Sequence, residues 1–304
     1  MPEIFVLGNF TVDDVVYHGA DVRWDQPGGN ALYSALGAQV WRSDVAVLAR
    51  LGRDYPEAHL EALRRRGLQL GLRRVDAPNI HDWSLYEEGG TRRFINQRAS
   101  GSHYEMSIRP EELCDGDRSG RAYHVAPMPT DIQLGLARAV KKPGNLVTLD
   151  PHLDYIEGHG AELEAILNLV DCFLPSREEA RVAFGDDRPE EAARRFAASG
   201  PRAVVVKLGH EGSLVYDRRA ERLVHVPVFP VEVRDLTGAG DAYCGGFLAG
   251  MLLTGDPLEA ALYGTVSASY AVESRGVVSV PIPTPTDATR RLDALRAIVH
   301  RGLH

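Results

Sequence analysis

The feature that most constrains this chain is a regular alternation of short apolar runs with longer amphipathic stretches. The runs occur at 3–8 (EIFVLG), 45–49 (VAVLA), 122–126 (AYHVA), 146–149 (LVTL) and 203–208 (AVVVKL). Runs of this length and composition read as strands buried on both faces of a parallel sheet. Between them, helical periodicity covers 30–41, 57–66, 130–141, 161–169, 176–184 and 188–198, the second closed by Gly67 at a C′ position. Strands alternating with helices predict an α/β fold with a doubly wound, mostly parallel central sheet, whose ligands sit at the carboxyl ends of the strands. With 304 residues, the chain is long enough for one such sheet or for two smaller domains.

Two stretches break the alternation. Residues 13–25 and 79–98 read as β segments, the second with a Gly89-Gly90 turn between aromatic and β-branched flanks. They predict a small β-sheet projecting from the body and assembled from two insertions, at about 10–26 and 79–104. Further on, 213–229 alternates again, and 258–273 and 286–302 are helical. No repeat of 20–50 residues and no Gly/Ser linker divides the chain.

Charge narrows the partners. Acidic residues outnumber basic ones 42 to 34, for a net charge of -8, so nothing favours duplex nucleic acid or an anionic membrane. A local cationic pocket stays open, and Lys207, one of three lysines with Lys141 and Lys142, stands out inside an apolar strand. Cys114, Cys172 and Cys244 lie far apart without a CxxC pair, which fits neither a disulfide framework nor a zinc site and points to a reducing cytoplasm. The N-terminus lacks a basic segment followed by a long apolar one, and no window approaches 18 apolar residues, so neither export nor membrane spanning is expected.

The most informative stretch is DLTGAGDAYCGG at 235–246. A glycine-rich turn runs straight into a helix of small residues, so backbone N–H groups of Gly238, Ala239 and Gly240 point out of a helix N-terminus as an anion cradle. It is not the dinucleotide fingerprint, which needs glycine where Tyr243 stands, and no GxxxxGK[ST] segment exists. Asp241 fits an N-cap, but a cap needs no preceding Gly-Ala-Gly, whereas phosphate approaching bare backbone does. A carboxylate at a helix N-terminus is a weak base. In phosphoryl transfer through a loose transition state the nucleophile's proton leaves late, so positioning matters more than basicity. Gly28-Gly29 opens the first long helix, as a tight turn alone would. Asp13 and Asp14 follow the first strand in what reads as a loop, and carboxylates there suit the hydroxyl groups of a polyol.

With these segments in hand, the chain resembles the ribokinase-like (PfkB) carbohydrate kinase family over essentially its whole length. Residues 235–252 (DLTGAGDAYCGGFLAGML) are similar to the family signature Asp-Thr-x-Gly-Ala-Gly-Asp, with Leu236 and Thr237 in the middle positions. The resemblance implies Asp241 as catalytic base and Gly238, Ala239 and Gly240 as an anion hole spanning 238–241. GNFTVDD at 8–14 resembles the family's first strand with its substrate aspartate, Asp13. PGGNALYSALGA at 27–38 resembles the Gly-Gly helix start, giving Gly28, Gly29 and Asn30 for the acceptor. VAVLARLGRD at 45–54 resembles the strand and Gly-x-Asp turn that follow. The two β insertions fall where the family carries a lid that excludes water. In many relatives that lid also forms a homodimer interface.

LPSREEARVAFG at 174–185 stands where the family has Asn-x-x-Glu beside magnesium and the phosphates, so Glu179 carries over as the metal-associated residue and Ser176 replaces the asparagine. VVVKLGHEGS at 204–213 resembles the strand and turn lining the nucleotide, giving Lys207, Gly209 and Gly212, with Thr237 from the signature. Lys207 also fits a lysine snorkelling from a strand end. Tyr33 occupies the place of a sugar-holding asparagine, where a ring suits a base; Trp24 and Trp83 in the lid segments point the same way. SRGVVSVP at 274–281 falls at the family's monovalent-cation loop, which implies potassium.

The expectation is a single domain, 1–304, acting as an ATP- and Mg2+-dependent phosphotransferase on a hydroxyl group of a sugar or sugar-like polyol. A nucleoside kinase of the same family and a non-catalytic sugar or nucleotide sensor are the alternatives. The intact aspartate of TGAGD weighs against the sensor.

Overall fold

The computed structural model describes residues 2–302 apart from His18, Ala20, 87–91 and Asp186. The Gly89-Gly90 turn expected from the sequence lies outside the described residues. In chain order the first strands are β1 (Ile4–Leu7), β2 (Thr11–Val16), β3 (Val22–Gly28), β4 (Val45–Leu51), β5 (Gln69–Arg74), β6 (Ile80–Tyr86) and β7 (Arg92–Asn96). They are followed by β8 (Ala122–Val125), β9 (Leu146–Leu149), β10 (Cys172–Phe173), β11 (Ala203–Lys207), β12 (Ser213–Asp217) and β13 (Arg222–Val226).

The large sheet has the order β13-β12-β11-β10-β9-β8-β1-β4-β5. Strands from β11 across to β5 are all parallel, and β12 and β13 extend the sheet as an antiparallel hairpin. Successive side chains of a strand enter opposite faces, so each apolar run feeds two cores. Ile4 and Val6 pack with the helices Asn30–Gln39, Ala239–Thr254 and Pro257–Val272, whereas Phe5 and Leu7 pack with Thr130–Val140 and Pro189–Ala198. This is the doubly wound arrangement expected. The strand Gln69–Arg74 was not marked by an apolar run, because it is an edge strand without a buried residue. Helix ends fall within two residues of the expected limits.

The small sheet has the order β3-β2-β6-β7, with β2 and β6 parallel and both outer pairs antiparallel. Asp13 and Asp14 therefore lie inside a strand, not in a loop, and they face opposite sides of it. One face, carrying Thr11, Asp13 and Val15 of β2 and Ile80, Asp82 and Ser84 of β6, is buried. The other carries Trp83 beside Ile95, both exposed. Among the described residues no helix is long and apolar enough to cross a membrane.

Because the parallel strands point the same way, the residues just beyond their carboxyl ends gather along one edge. Asn9 after β1, Asp150 after β9, Ser176 after β10 and Lys207 at the end of β11 share that edge.

Candidate active site

The glycine turn of DLTGAGD caps the helix Ala239–Thr254 through Gly238, at φ 70. A β-carbon on Gly238 would stand 2.0 Å from Cγ of Tyr33, so glycine is demanded both by the backbone angle and by the ring packed against it. The N–H of Ala239 turns back to the carbonyl of Leu236 at 3.3 Å. The remaining N–H groups of the first turn have no partner within the helix and leave a positive end beside exposed Gly240 and half-buried Asp241.

A second helix N-terminus lies alongside. Gly29, at φ 107, caps the helix Asn30–Gln39. A β-carbon on Gly37 would stand 2.0 Å from the carbonyl oxygen of Ala242, and one on Gly245 1.7 Å from that of Ser34. The two helices thus touch backbone to backbone, and with Tyr33 on Gly238 their N-termini come to the same end of the molecule. The Gly28-Gly29 and TGAGD segments, about 200 residues apart in sequence, are thus brought together.

At the strand edge, Lys207 Nζ donates to Asp150 Oδ2 and lies 3.8 Å from where a β-carbon of Gly240 would be. Burial opposes both charges of this pair, but Asp150 holds the Lys207 ammonium above its ordinary range. Burial pushes the Asp150 carboxyl up, Lys207 opposes it, and the negative charges of Glu179 and Asp241 add to the rise. Asp150 is 2% exposed and its Oδ1 has no hydrogen-bond partner. Three carboxylates around one ammonium leave an excess of negative charge with an unpaired oxygen, which fits a divalent cation. Among the described residues no three His, Cys, Asp or Glu side chains are grouped so as to hold a metal ion by themselves.

Ser176 and Glu179, expected near metal and phosphate, form a reciprocal cap on the helix Arg177–Phe184. Ser176 N donates to Glu179 Oε2 at 2.6 Å, and Glu179 N donates to Ser176 Oγ at 3.2 Å. The box fixes the Glu179 carboxylate close to the Asp150–Lys207 pair.

A cleft of 520 Å³ opens beside the turn. Its polar end is made by Lys207, Gly209, Gly212, Ala239 and Gly240, and its walls by Val228, Phe229, Leu236 and Val272. Apolar walls leading to a cation and a helix N-terminus suit a flat base with a phosphate tail. Thr237, expected on the nucleotide, does not line this cleft; its hydroxyl bonds Tyr86 instead.

On the acceptor side, Asp13 lies against Gly28, where a β-carbon would be 2.0 Å from its Oδ2. Asn30 is committed to the scaffold, accepting from Asn9 N at 2.9 Å and donating to the carbonyl of Pro127 at 2.7 Å. Tyr33 is buried with its ring on Gly238, and Trp83 lies on the sheet face opposite Asp82. Tyr33 thus packs between the two glycine turns, within electrostatic reach of Asp13 and Asp235, whereas Trp83 is exposed on the other face of the small sheet.

Four residues that sequence reasoning passed over complete the site. Tyr17 OH donates to Asp235 Oδ2 at 2.7 Å, Tyr86 OH bonds both Asp235 Oδ1 and Thr237 Oγ1, and Thr237 N donates to Asp235 Oδ1 at 2.8 Å. Burial pushes the Asp235 carboxyl up, but the bonds from Thr237, Tyr86 and Tyr17 outweigh it and hold the group below its ordinary value. The small sheet is thereby bonded to the first residue of DLTGAGD. Asp150 is the fourth, and its signal was plain: it directly follows the run LVTL at a strand's carboxyl end.

In the 274–281 segment, where the resemblance implies potassium, three carbonyls accept from guanidinium groups. Arg275 O accepts from Arg23 Nη1 at 3.3 Å, Val278 O from Arg66 Nη1 at 2.8 Å, and Val280 O from Arg66 Nη2. Guanidinium groups therefore already supply positive charge to these three carbonyls.

The profile of the pfkB family carbohydrate kinases matches residues 9–285. The chain is 31% identical over 263 residues to a cytidine kinase of Thermococcus kodakarensis, covering 85% of this chain and 91% of that one. It is 31% identical over 175 residues, 55% of this chain and 51% of the other, to a 5-dehydro-2-deoxygluconokinase of Clostridium perfringens. The ribokinase structure from Giardia lamblia superposes with a TM-score of 0.80 at 19% identity, covering 97% of this chain and 100% of that chain.

Proposed function

The chain belongs to the PfkB family of carbohydrate kinases, and from that premise we propose that it transfers the γ-phosphoryl group of ATP to a hydroxyl group of a sugar or sugar-like polyol. The observation that carries this reading is the meeting of two helix N-termini at Gly29 and Gly238, with Asp241 in the first turn of one and the Lys207 cleft on its flank.

The base occupies the apolar walls of the cleft, and the phosphates lie toward Lys207 and the N–H groups of 238–241. When bound, Mg2+ supplies positive charge to the phosphate oxygens. Asp150 and Glu179 are the residues that would hold it, through water. Asp241 takes the proton of the attacking hydroxyl, and Asp13 fixes the acceptor from the sheet above. The N–H groups of the turn stabilise charge on the transferred group without reorganising.

Residues 1–304 are read as one kinase domain whose four-stranded sheet is a lid that keeps water from the phosphoryl group. Its outer face pairs Trp83 with Ile95, 43% and 49% exposed, which supports a homodimer formed through the lid. Three free cysteine thiols agree with a cytoplasmic location. A nucleoside acceptor is the second reading, favoured by the similarity to cytidine kinase along 85% of the chain. ADP release measured with ATP, Mg2+ and a panel of pentoses, hexoses, inositols and nucleosides tests the activity. Turnover of at least one acceptor is expected, and ADP release from none of them contradicts it.

A further inference from the structure

The buried face of the small sheet carries a row of polar side chains across all four strands. Asp13 is in register with Gln26 on β3 and with Asp82 on β6, and Asp82 is in register with Asn96 on β7. Residues directly opposite one another on neighbouring strands share a face. Asp13 and Asp82 are 6% and 7% exposed, and Asp82 Oδ1 is sealed from solvent without a hydrogen-bond partner. Two residues further along the same face, Ser84 Oγ is also buried and unpartnered.

The direction of this face is fixed at its far end. Tyr86, four residues beyond Asp82 on the same side of β6, bonds Asp235 and Thr237 in the phosphate turn. At the near end Asp13 lies on Gly28, beside the other helix N-terminus. The row therefore roofs the space between the two glycine turns, where the acceptor must sit if the kinase reading holds.

We propose that Asp82, acting beside Asp13, selects the acceptor by charge: it accepts hydrogen bonds from an uncharged hydroxyl- or amino-rich molecule and turns away acceptors that carry a phosphate or carboxylate. A buried carboxylate with no protein donor is costly, and a ligand bringing hydroxyl or amino hydrogens supplies what the fold leaves out. A second carboxylate in the neighbouring register position makes the same site repel an anion, so discrimination arises from the rejected class as much as from the accepted one. The inference rests on the kinase reading for the identity of the bound molecule as acceptor. It separates two chemistries among the relatives, an uncharged nucleoside and a sugar acid.

The test is calorimetric titration of D-ribose, D-fructose, myo-inositol, cytidine and inosine against ribose 5-phosphate, fructose 6-phosphate and D-gluconate, with ADP release measured in parallel. The wild-type chain is expected to bind at least one uncharged compound about 100-fold more tightly than any anionic one. Asp82→Asn should weaken the uncharged ligand about 10-fold, chiefly in KM rather than kcat, and narrow the ratio by a similar factor. Asn96→Lys, at the exposed end of the row, should narrow the ratio without disturbing a buried group. Preference for an anionic compound, binding of no uncharged one, or a ratio unmoved by both variants overturns the proposal. Selective binding without ADP release from any acceptor contradicts the kinase reading while leaving the charge selection supported.

Discussion

Tyr17 donates its phenolic hydrogen to Asp235 at 2.7 Å, joining residues 218 positions apart in the chain. The bond ties the end of β2, the strand that carries Asp13, to the first carboxylate of the phosphate turn. Tyr86 reaches the same carboxylate from the parallel strand β6, and the two phenol rings stack with centroids 5.2 Å apart. Strands β2 and β6 of the small sheet and the glycine turn at 235–241 are thus linked through one buried anion.

Tyr17→Phe keeps the stacked ring and removes one donor from that anion. Loss of a hydrogen bond to a buried charge costs about 1–2 kcal/mol when other donors remain, a factor of about 5–30 in an equilibrium constant. The KM for the acceptor should rise by such a factor with kcat changed less, and amide hydrogens of 11–16 and 80–86 should exchange faster. Unchanged KM and unchanged exchange would show that the contact does not hold the sheet in place.

Gly238→Ala places a methyl group on Tyr33 at a backbone angle of φ 70. The strain and the clash together should lower stability by about 2 kcal/mol or more and distort the N–H groups at the start of the helix Ala239–Thr254, lowering turnover if they hold the phosphoryl group as proposed. Denaturant unfolding and turnover of the same preparation check this. A variant with native stability and native kcat would mean that the turn tolerates a side chain and is not shaped for close approach.

Burial raises the Asp82 carboxyl to about 6, opposed weakly by the neighbouring charge of His81, with Asp13 facing it across the strand pair. A folded value above the unfolded one, about 3.9 for aspartate, means that the native state binds more protons between the two. Stability therefore falls as pH rises from about 4 to 6 and bears the full cost above. Asp82→Asn should stabilise the protein by about 1–3 kcal/mol at pH 7.5, and the gain should shrink toward pH 4.5. Unfolding of both proteins at the two pH values measures the difference. An equal effect at both would remove the titration of Asp82 as its cause.

Arg23 and Arg66 take the carbonyls of Arg275, Val278 and Val280, so monovalent cations should have little to bind there. Rates in potassium and in tetramethylammonium salts at equal ionic strength should agree within about twofold, the remainder being general screening. Strong activation by potassium alone would show that these guanidinium contacts give way during turnover.

The alternation of apolar runs and helices was legible because each run is buried on both faces, as Ile4–Leu7 shows by feeding two cores. The glycine turn was legible because Gly-Ala-Gly directly before a run of small residues is a local pattern, and Gly238 indeed caps the helix Ala239–Thr254 at φ 70. What the sequence did not disclose depends on register. Asp82 sits in a segment, IHDWSLY, whose two faces look equally mixed until the pairing with β2 turns Asp82 inward and Trp83 outward. The tyrosine contacts with Asp235 join distant segments and have no local pattern. Asn30 was identified as part of the glycine turn, but its amide serves Asn9 and Pro127, a commitment visible only once three segments are packed together.

The central claim is that Asp241 takes the acceptor's proton beside the helix N-terminus. Asp241→Asn preserves shape and hydrogen-bonding capacity, so ATP titrated in the presence of Mg2+ should bind with nearly unchanged affinity. Single-turnover phosphoryl transfer to the best acceptor should slow by about 1,000-fold. A variant that transfers phosphate at the wild-type rate would contradict the account.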